Sequence, residues 1–253
     1  MTILVDAGNS RVKWAWWSGD RIDVGEPFAT DSRALHGRLR ALWNGLPAPQ
    51  AVYVSNVAGP DWERQFVAWV RAAWNLDIRL VRSQARGHGI VSGYLQPESL
   101  GVDRWVGLIG ARAQFGLPFC LIDCGTAVTV DLVDAEGKHR GGLIGAGLGL
   151  MKDALTQRAP GVASGDAPST PFWGVSTAEG LQSGAREMVL GLIDRGFQQA
   201  RATLGMEPAL ILTGGDGELL APHLTVPFQL DPHLVLQGLA AIARNECSAA
   251  LRG

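Results

Sequence analysis

The sequence predicts an α/β protein built by duplication, with the order β-β-β-α-β-α-β running twice and a cleft between the two copies. Two observations lead there. The turns Asp6-Ala7-Gly8-Asn9-Ser10 and Asp123-Cys124-Gly125-Thr126-Ala127 each follow a short apolar run, Ile3-Leu4-Val5 and Phe119-Cys120-Leu121-Ile122. Each also precedes a second strand-like run, Val12 to Trp17 and Val128 to Val133. The same alternation of strand and helix patterns then follows both turns, the mark of an internal repeat. The expected lobes are residues 1–116 and 117–253.

The first copy reads as strands at Thr2–Val5, Val12–Trp17 and about Arg21–Phe28. A helix is expected over Asp31–Trp43, capped by Asp31 or Ser32. A strand at Ala51–Ser55 precedes a helix opened by Pro60 and running to Trp74, with Phe66, Val67, Val70, Ala73 and Trp74 on its apolar face. Ile78–Val81 closes the copy. Ser83 to Ser99, Gly-rich with Pro97, reads as a long loop of the kind that carries function. A helix over Gly101–Phe115 ends at Gly116-Leu117-Pro118.

The second copy has strands at Phe119–Ile122, Val128–Val133 and about Lys138–Ile144, then a helix over Leu148–Arg158. Ala159 to Trp173, with Pro160, Pro168 and Pro171, reads as a surface loop. Ser176-Thr177-Ala178-Glu179 is a capping box opening a helix to Leu204, with Leu181, Met188, Leu192 and Phe197 expected inward. A strand at Ala209–Thr213, a short helix, a strand near Val226–Leu230 and a helix from Pro232 complete the chain.

Composition narrows the function. A chain that is 47% hydrophobic and 18% charged belongs with ordinary globular proteins. A net charge of −2 and the absence of a basic stripe argue against nucleic acid as a partner. No apolar run reaches the roughly 18 residues of a membrane span. Met1 to Asp6 has no basic flank and meets a carboxylate too soon for a signal-peptide core. Cys120, Cys124 and Cys247 make no metal-site spacing and are expected to be reduced thiols in a cytoplasmic protein. The nine Trp are scattered and expected mostly in the core.

The two turns carry the chemistry. In the first, N–H groups from Gly8 to Ser10 suit an anion-binding nest, Asn9 and Ser10 add donors, and Lys13 adds positive charge. Asp6 suits Mg²⁺, held directly or through water. A plain hairpin turn would use similar residues, but the second turn repeats the Asp-x-Gly-hydroxyl pattern. Gly101-Val102-Asp103-Arg104 opens a helix, where Asp103 suits a base and Arg104 a carboxylate partner. An Asp that merely caps a helix beside a surface Arg is the alternative. Gly214-Gly215-Asp216 suits a close backbone approach to a nucleoside or a tight turn. Tyr94 suits a ligand contact or a loop anchor. His36, His88, His139, His223 and His233 stand apart in sequence and receive no role, and a P-loop motif is absent.

As an ordered set, Asp6 to Ser10, Gly101 to Arg104, Asp123 to Ala127, Gly141-Gly142 and Leu212 to Asp216 resemble the motifs of type III pantothenate kinases. These belong to the superfamily of acetate and sugar kinases, Hsc70 and actin. The resemblance implies actin-like, ribonuclease H-like lobes and ATP-dependent phosphorylation of pantothenate. By position it implies an ATP-binding segment of Asp6, Ala7, Gly8, Asn9, Ser10, Arg11, Val12 and Lys13, with Thr126 a further nucleotide contact. Asp103 matches the general base. Tyr94, Gly101, Val102, Asp103, Arg104 and Thr177 match pantothenate contacts. Asp123 matches the site of a monovalent cation, K⁺ or NH₄⁺. A homodimer with the substrate site at its interface is also implied. One departure is Ala146-Gly147, where the family usually has Pro-Gly. Rival readings are another small-molecule kinase of the superfamily, or a catalytically weak regulatory member resembling the Bvg accessory factors.

Overall fold

The computed structural model describes residues 1–159 and 171–250, so most of the loop expected over Ala159–Trp173 lies outside the described residues. The chain forms two compact units. One comprises residues 1–116 together with the stretch from Leu234 onward, and the other residues 117–233. The expected second lobe of 117–253 is therefore corrected at its C-terminal end, for a reason visible in the packing below.

The first unit contains β1 (Thr2–Ala7), β2 (Arg11–Trp17), β3 (Ile22–Val24), β4 (Phe28–Ala29), α1 (Leu35–Trp43), β5 (Ala51–Asn56), α2 (Pro60–Trp74) and β6 (Arg79–Leu80). Its sheet has the order β3-β2-β1-β5-β6, with β4 also on β2. β1 is antiparallel to β2 and parallel to β5. The expected third strand is split into β3 and β4. Pro27 between them supplies no N–H to a ladder. α2 has the ends its sequence predicts: Pro60 at the start with Asp61 and Glu63 in the first turn, and Asn75 in the left-handed region after Trp74. Its buried face is Trp62, Phe66 and Val70, whereas Ala73 is exposed.

The core on this side is aromatic. Trp43 has Trp14 at 5.2 Å edge-on, Trp69 at 5.6 Å and Trp74 stacked at 5.5 Å. Such pairs add about 0.5–1.5 kcal/mol each beyond burial.

The stretch expected to be loop folds further. β7 (Arg86–Gly87) and β8 (Ile90–Val91) form a separate hairpin, and a 3₁₀ turn spans Pro97–Ser99. α3 (Val102–Phe115) follows.

The second unit holds β9 (Phe119–Cys124), β10 (Ala127–Val133), β11 (His139–Ala146), α4 (Leu148–Arg158), α5 (Thr177–Leu204), β12 (Ala209–Thr213), α6 (Gly217–Leu220) and β13 (Gln229–Leu230). The sheet order β11-β10-β9-β12-β13 repeats that of the first unit, strand for strand. β9 is antiparallel to β10 and parallel to β12, again as before. α5 starts where the capping box predicts. Ser176 Oγ accepts from Glu179 N at 3.2 Å, while the Glu179 carboxylate reaches one residue further back, to Val175 N at 2.8 Å. Its buried stripe is Ala185, Val189, Ile193 and Phe197. Phe197 is inward as expected, but Met188 is exposed and Leu181 and Leu192 are only partly buried, the inward positions being the next residues, Val189 and Ile193.

α7 (Leu234–Ala250) returns to the first unit. It crosses α3 in backbone contact: a Cβ on Gly238 would overlap the Val106 carbonyl, and one on Gly110 would reach Leu234 O at 2.5 Å. Two glycines at one crossing let the helices approach more closely than side chains permit. No helix among the described residues is long and apolar enough to cross a membrane.

Candidate active site

The first Asp-x-Gly turn joins β1 to β2. Asp6 is buried at the end of β1 and pairs across the ladder with Lys13 on β2 and with Ser55 on β5. Directly opposed residues share a face, so a carboxylate, an ammonium and a hydroxyl form one row. Ser55 Oγ is buried and makes no hydrogen bond among the described residues. The turn itself is closed by Gly8 N to Arg11 O at 3.1 Å and braced by Thr30 Oγ1 to Gly8 O at 2.8 Å. Asn9, Ser10 and Arg11 are exposed, Ala7 and Val12 buried.

The second turn has the same construction with different neighbours. Asp123 pairs with Thr129 on β10 and Thr213 on β12, so hydroxyls take the places of Lys13 and Ser55. Thr129 Oγ1 is buried and without a hydrogen bond among the described residues. Gly125 N bonds Ala127 O at 3.1 Å. Two glycines grip this turn. Gly214, at φ +95°, lies where a Cβ would overlap the Cys124 carbonyl and meet Asp123 Oδ1 at 2.5 Å. Gly147 lies where a Cβ would overlap the Gly125 carbonyl, and its N–H donates to Thr126 O at 2.9 Å. Asp216 N donates to Cys124 O at 2.9 Å. The Gly214-Gly215-Asp216 segment therefore holds the turn at Asp123 and Cys124, and Gly147 holds it at Gly125 and Thr126. Thr126 itself is exposed.

Asp103 and Arg104 sit in the first turn of α3, after Gly101. Asp103 is half-buried, and its Oδ1 accepts from Arg104 N at 2.8 Å. Arg104 is no surface partner: its side chain is buried, and Nη1 donates to Tyr94 Oη at 2.7 Å with the guanidinium 5.5 Å from the ring centroid. Tyr94, from the long connection, and Arg104 are thus brought together with Asp103, Gly101 and Val102. Thr177, at the first position of α5, is exposed.

Similarity to known proteins extends over nearly the whole chain. Residues 2–199 match the family model for type III pantothenate kinase. The chain is 34% identical to a type III pantothenate kinase from Nitrosococcus oceani, over 97% of its own length and 94% of that protein's. It is 39% identical to one from Burkholderia vietnamiensis, over 95% of each. The chain belongs to the type III pantothenate kinase family. Solved structures agree on the fold. A ROK family glucokinase from Streptomyces griseus superposes with a TM-score of 0.54 at 14% identity, over 96% of this chain and 99% of that one. A Campylobacter jejuni protein, named as a candidate Baf family transcriptional activator, gives 0.62 at 19% identity, over 97% and 99%.

A family of ATP-using kinases implies a divalent metal with ATP, and the donors present fit one. Mg²⁺ takes oxygens, typically one or two carboxylates plus phosphate and water, and the Asp6 carboxylate with the Ser55 hydroxyl beside it is such a set. Around Asp123 the donors are also oxygens. Cys124 does not compete: burial, with Asp123 and Asp216 nearby, pushes its thiol far above the usual range and keeps it from becoming a thiolate. Among the described residues no group of three or more His, Cys, Asp or Glu is placed to hold a metal.

Sequence reasoning missed Ser55, Thr129 and Thr213, whose only signal is strand register opposite an Asp. It also left the histidines isolated. His139 instead bonds Asp131 at 2.8 Å, both fully buried, because a register shift after Asp131 brings the two together across β10 and β11.

Proposed function

We propose that this chain transfers the γ-phosphoryl group of ATP to the primary hydroxyl of pantothenate, the first step of coenzyme A biosynthesis, in the cytoplasm. Full-length similarity to type III pantothenate kinases carries the reading. The cluster of Asp103, Arg104 and Tyr94 supplies its chemistry.

In this reading the turn from Asp6 to Lys13 binds the ATP phosphates. Gly8, Asn9 and Ser10 offer donors, and Lys13 balances the charge carried on the transferring oxygens. Mg²⁺, held beside Asp6, neutralises phosphate charge when bound. Asp103 orients the pantothenate hydroxyl and takes its proton as that oxygen bonds to the γ-phosphorus. The bond from the γ-phosphorus to the bridging oxygen breaks, and ADP leaves. Arg104, held rigid by Tyr94, pairs with the pantothenate carboxylate. Asp123, between two threonine hydroxyls, binds K⁺ or NH₄⁺, and Thr126 contacts the nucleotide.

A homodimer completes the proposal, with Thr177 contributing to a substrate site at the interface. Support comes from apolar surface within the second unit. Ile144 on the edge strand β11 and Met188 on α5 are exposed, and Trp173 and Val175 just before Thr177 are 82% and 92% exposed. Large apolar side chains exposed on one unit suit a surface that a second copy of the chain covers.

Asp103→Asn tests the assignment of the base. It keeps shape and loses proton affinity, so ATP binding should be normal while turnover falls by roughly 10²- to 10⁴-fold. A variant that retains most of its activity removes Asp103 from this role.

A further inference from the structure

We infer that His88 and Asn245 are positioning residues for the pantothenate side of the site: their hydrogen bond clasps the β7–β8 hairpin to α7 and so fixes where Tyr94 meets Arg104. This rests on the reading of Tyr94 and Arg104 as pantothenate contacts.

β7 and β8 are joined by His88-Gly89, with φ of +51° and +78°. Two left-handed residues make the hairpin turn whose twist suits the flanking strands. Glycine takes this conformation freely, whereas histidine does so at a cost of about 1–2 kcal/mol. Something must hold it there, and the structure shows what. Asn245 Nδ2 donates to His88 Nδ1 at 2.8 Å, across 157 residues of sequence. Burial lowers the imidazole pKa against a raising influence from Glu246, which keeps Nδ1 free to accept near neutral pH. On its other side the turn rests on α3, since the Arg112 guanidinium fills the space where a Cβ on Gly89 would lie.

The hairpin leads directly into the substrate loop. Ser92 N extends its ladder to Ala85 O at 3.0 Å, Ser92 Oγ accepts from Tyr94 N at 3.3 Å, and Tyr94 Oη accepts from Arg104 at 2.7 Å. The far end of the clasp is equally anchored. Glu246, next to Asn245, accepts from Tyr53 Oη at 2.7 Å and from Arg79 Nη1 at 2.9 Å, tying α7 to β5 and β6. α7 also meets α3, which carries Asp103 and Arg104, through Gly238 and Gly110. One helix therefore holds both the hairpin that leads to Tyr94 and the helix that bears Arg104.

His88→Gly keeps the turn and deletes the bond. His88→Asn tolerates the left-handed backbone and puts Oδ1 near the place of Nδ1, so it restores an acceptor. We expect His88→Gly to raise KM for pantothenate about fivefold, the effect of one lost hydrogen bond, with KM for ATP unchanged. Hydrogen exchange across residues 85–100 of the free protein should quicken. Asn245→Ala should do the same, and His88→Asn should return both readouts towards wild type. Unchanged exchange in His88→Gly, or equal increases in KM for both substrates, overturns the inference. Faster exchange with an unchanged KM, together with a silent Tyr94→Phe, overturns instead the placing of Tyr94 on the pantothenate side.

Discussion

Lys13 stands directly opposite Asp6 in the antiparallel pairing of β1 with β2. The residue in that place beside Asp123 is Thr129. The two Asp-x-Gly turns therefore share a backbone plan and differ in charge. Beside Asp6 a cation is built into the protein. Beside Asp123 the register partners are the hydroxyl residues Thr129 and Thr213, the set on which the proposed K⁺ or NH₄⁺ site rests. Lys13→Met is expected to lower kcat/KM for ATP by roughly 10- to 100-fold, the size of a lost charged hydrogen bond of about 1.5–3 kcal/mol, while activation by K⁺ persists. Asp123→Asn should abolish the dependence of rate on K⁺. Initial rates over a K⁺ titration separate the two, and a Lys13 variant that loses K⁺ dependence would merge the roles assigned here.

The thiols are expected to react unequally. Burial and the nearby Asp131 push Cys120 up to about 12, and Cys124 is raised further, whereas Cys247 is exposed on α7. Only thiolate attacks a disulfide reagent. Titration at pH 8 should modify Cys247 alone in the native protein and all three cysteines after denaturation.

Tyr53 predicts an alkaline limit to stability. Burial and its bond to Glu246 raise the phenol from 10.0 to about 12. A raised folded-state pKa means that the folded protein favours the protonated form. The contribution is complete below pH 10 and is lost as pH rises from about 10 to 12. Tyr53→Phe should cost about 1–2 kcal/mol in denaturant unfolding at pH 8 and flatten the decline between pH 10 and 12.

The apolar surface of the second unit predicts self-association. Trp173→Asp combined with Met188→Lys adds charge where both side chains are exposed, so the fold should be unchanged. Sedimentation should show a dimer for the unaltered chain and a monomer for the variant. Activity of the monomer at wild-type level would detach Thr177 from the partner's substrate.

Much of this was legible in the residues, where local chemistry decides the outcome. Pro60 and Asn75 bracket α2, Ser176 and Glu179 start α5, and β12 is the apolar run Ala209–Leu212 closed by Thr213, between Glu207-Pro208 and Gly214. Elsewhere tertiary packing overrode local pattern. β7 and β8 are two residues each, too short to show alternation, and are held by α7 and α3. α7 reads as a helix anywhere, and the unit it joins is decided by long-range contacts: Gly238 on Gly110, Glu246 on Tyr53 and Arg79, and Asn245 on His88. Met188 and Val189 are both apolar neighbours, and which turns inward is settled by β10, where Val130 packs against Gly196 about two turns further along α5. At the site, the motif residues were visible as motifs. Ser55, Thr129 and Thr213 were invisible because register across strands, and not spacing along the chain, puts them beside an Asp.

The decisive experiment incubates the purified chain with pantothenate, Mg²⁺, K⁺ and ATP labelled in its γ-phosphate, and follows the label. It should pass to pantothenate, giving 4'-phosphopantothenate, and the transfer should vanish in Asp103→Asn. Absence of labelled product from the unaltered chain, with and without K⁺, would contradict the assignment of this protein as a pantothenate kinase.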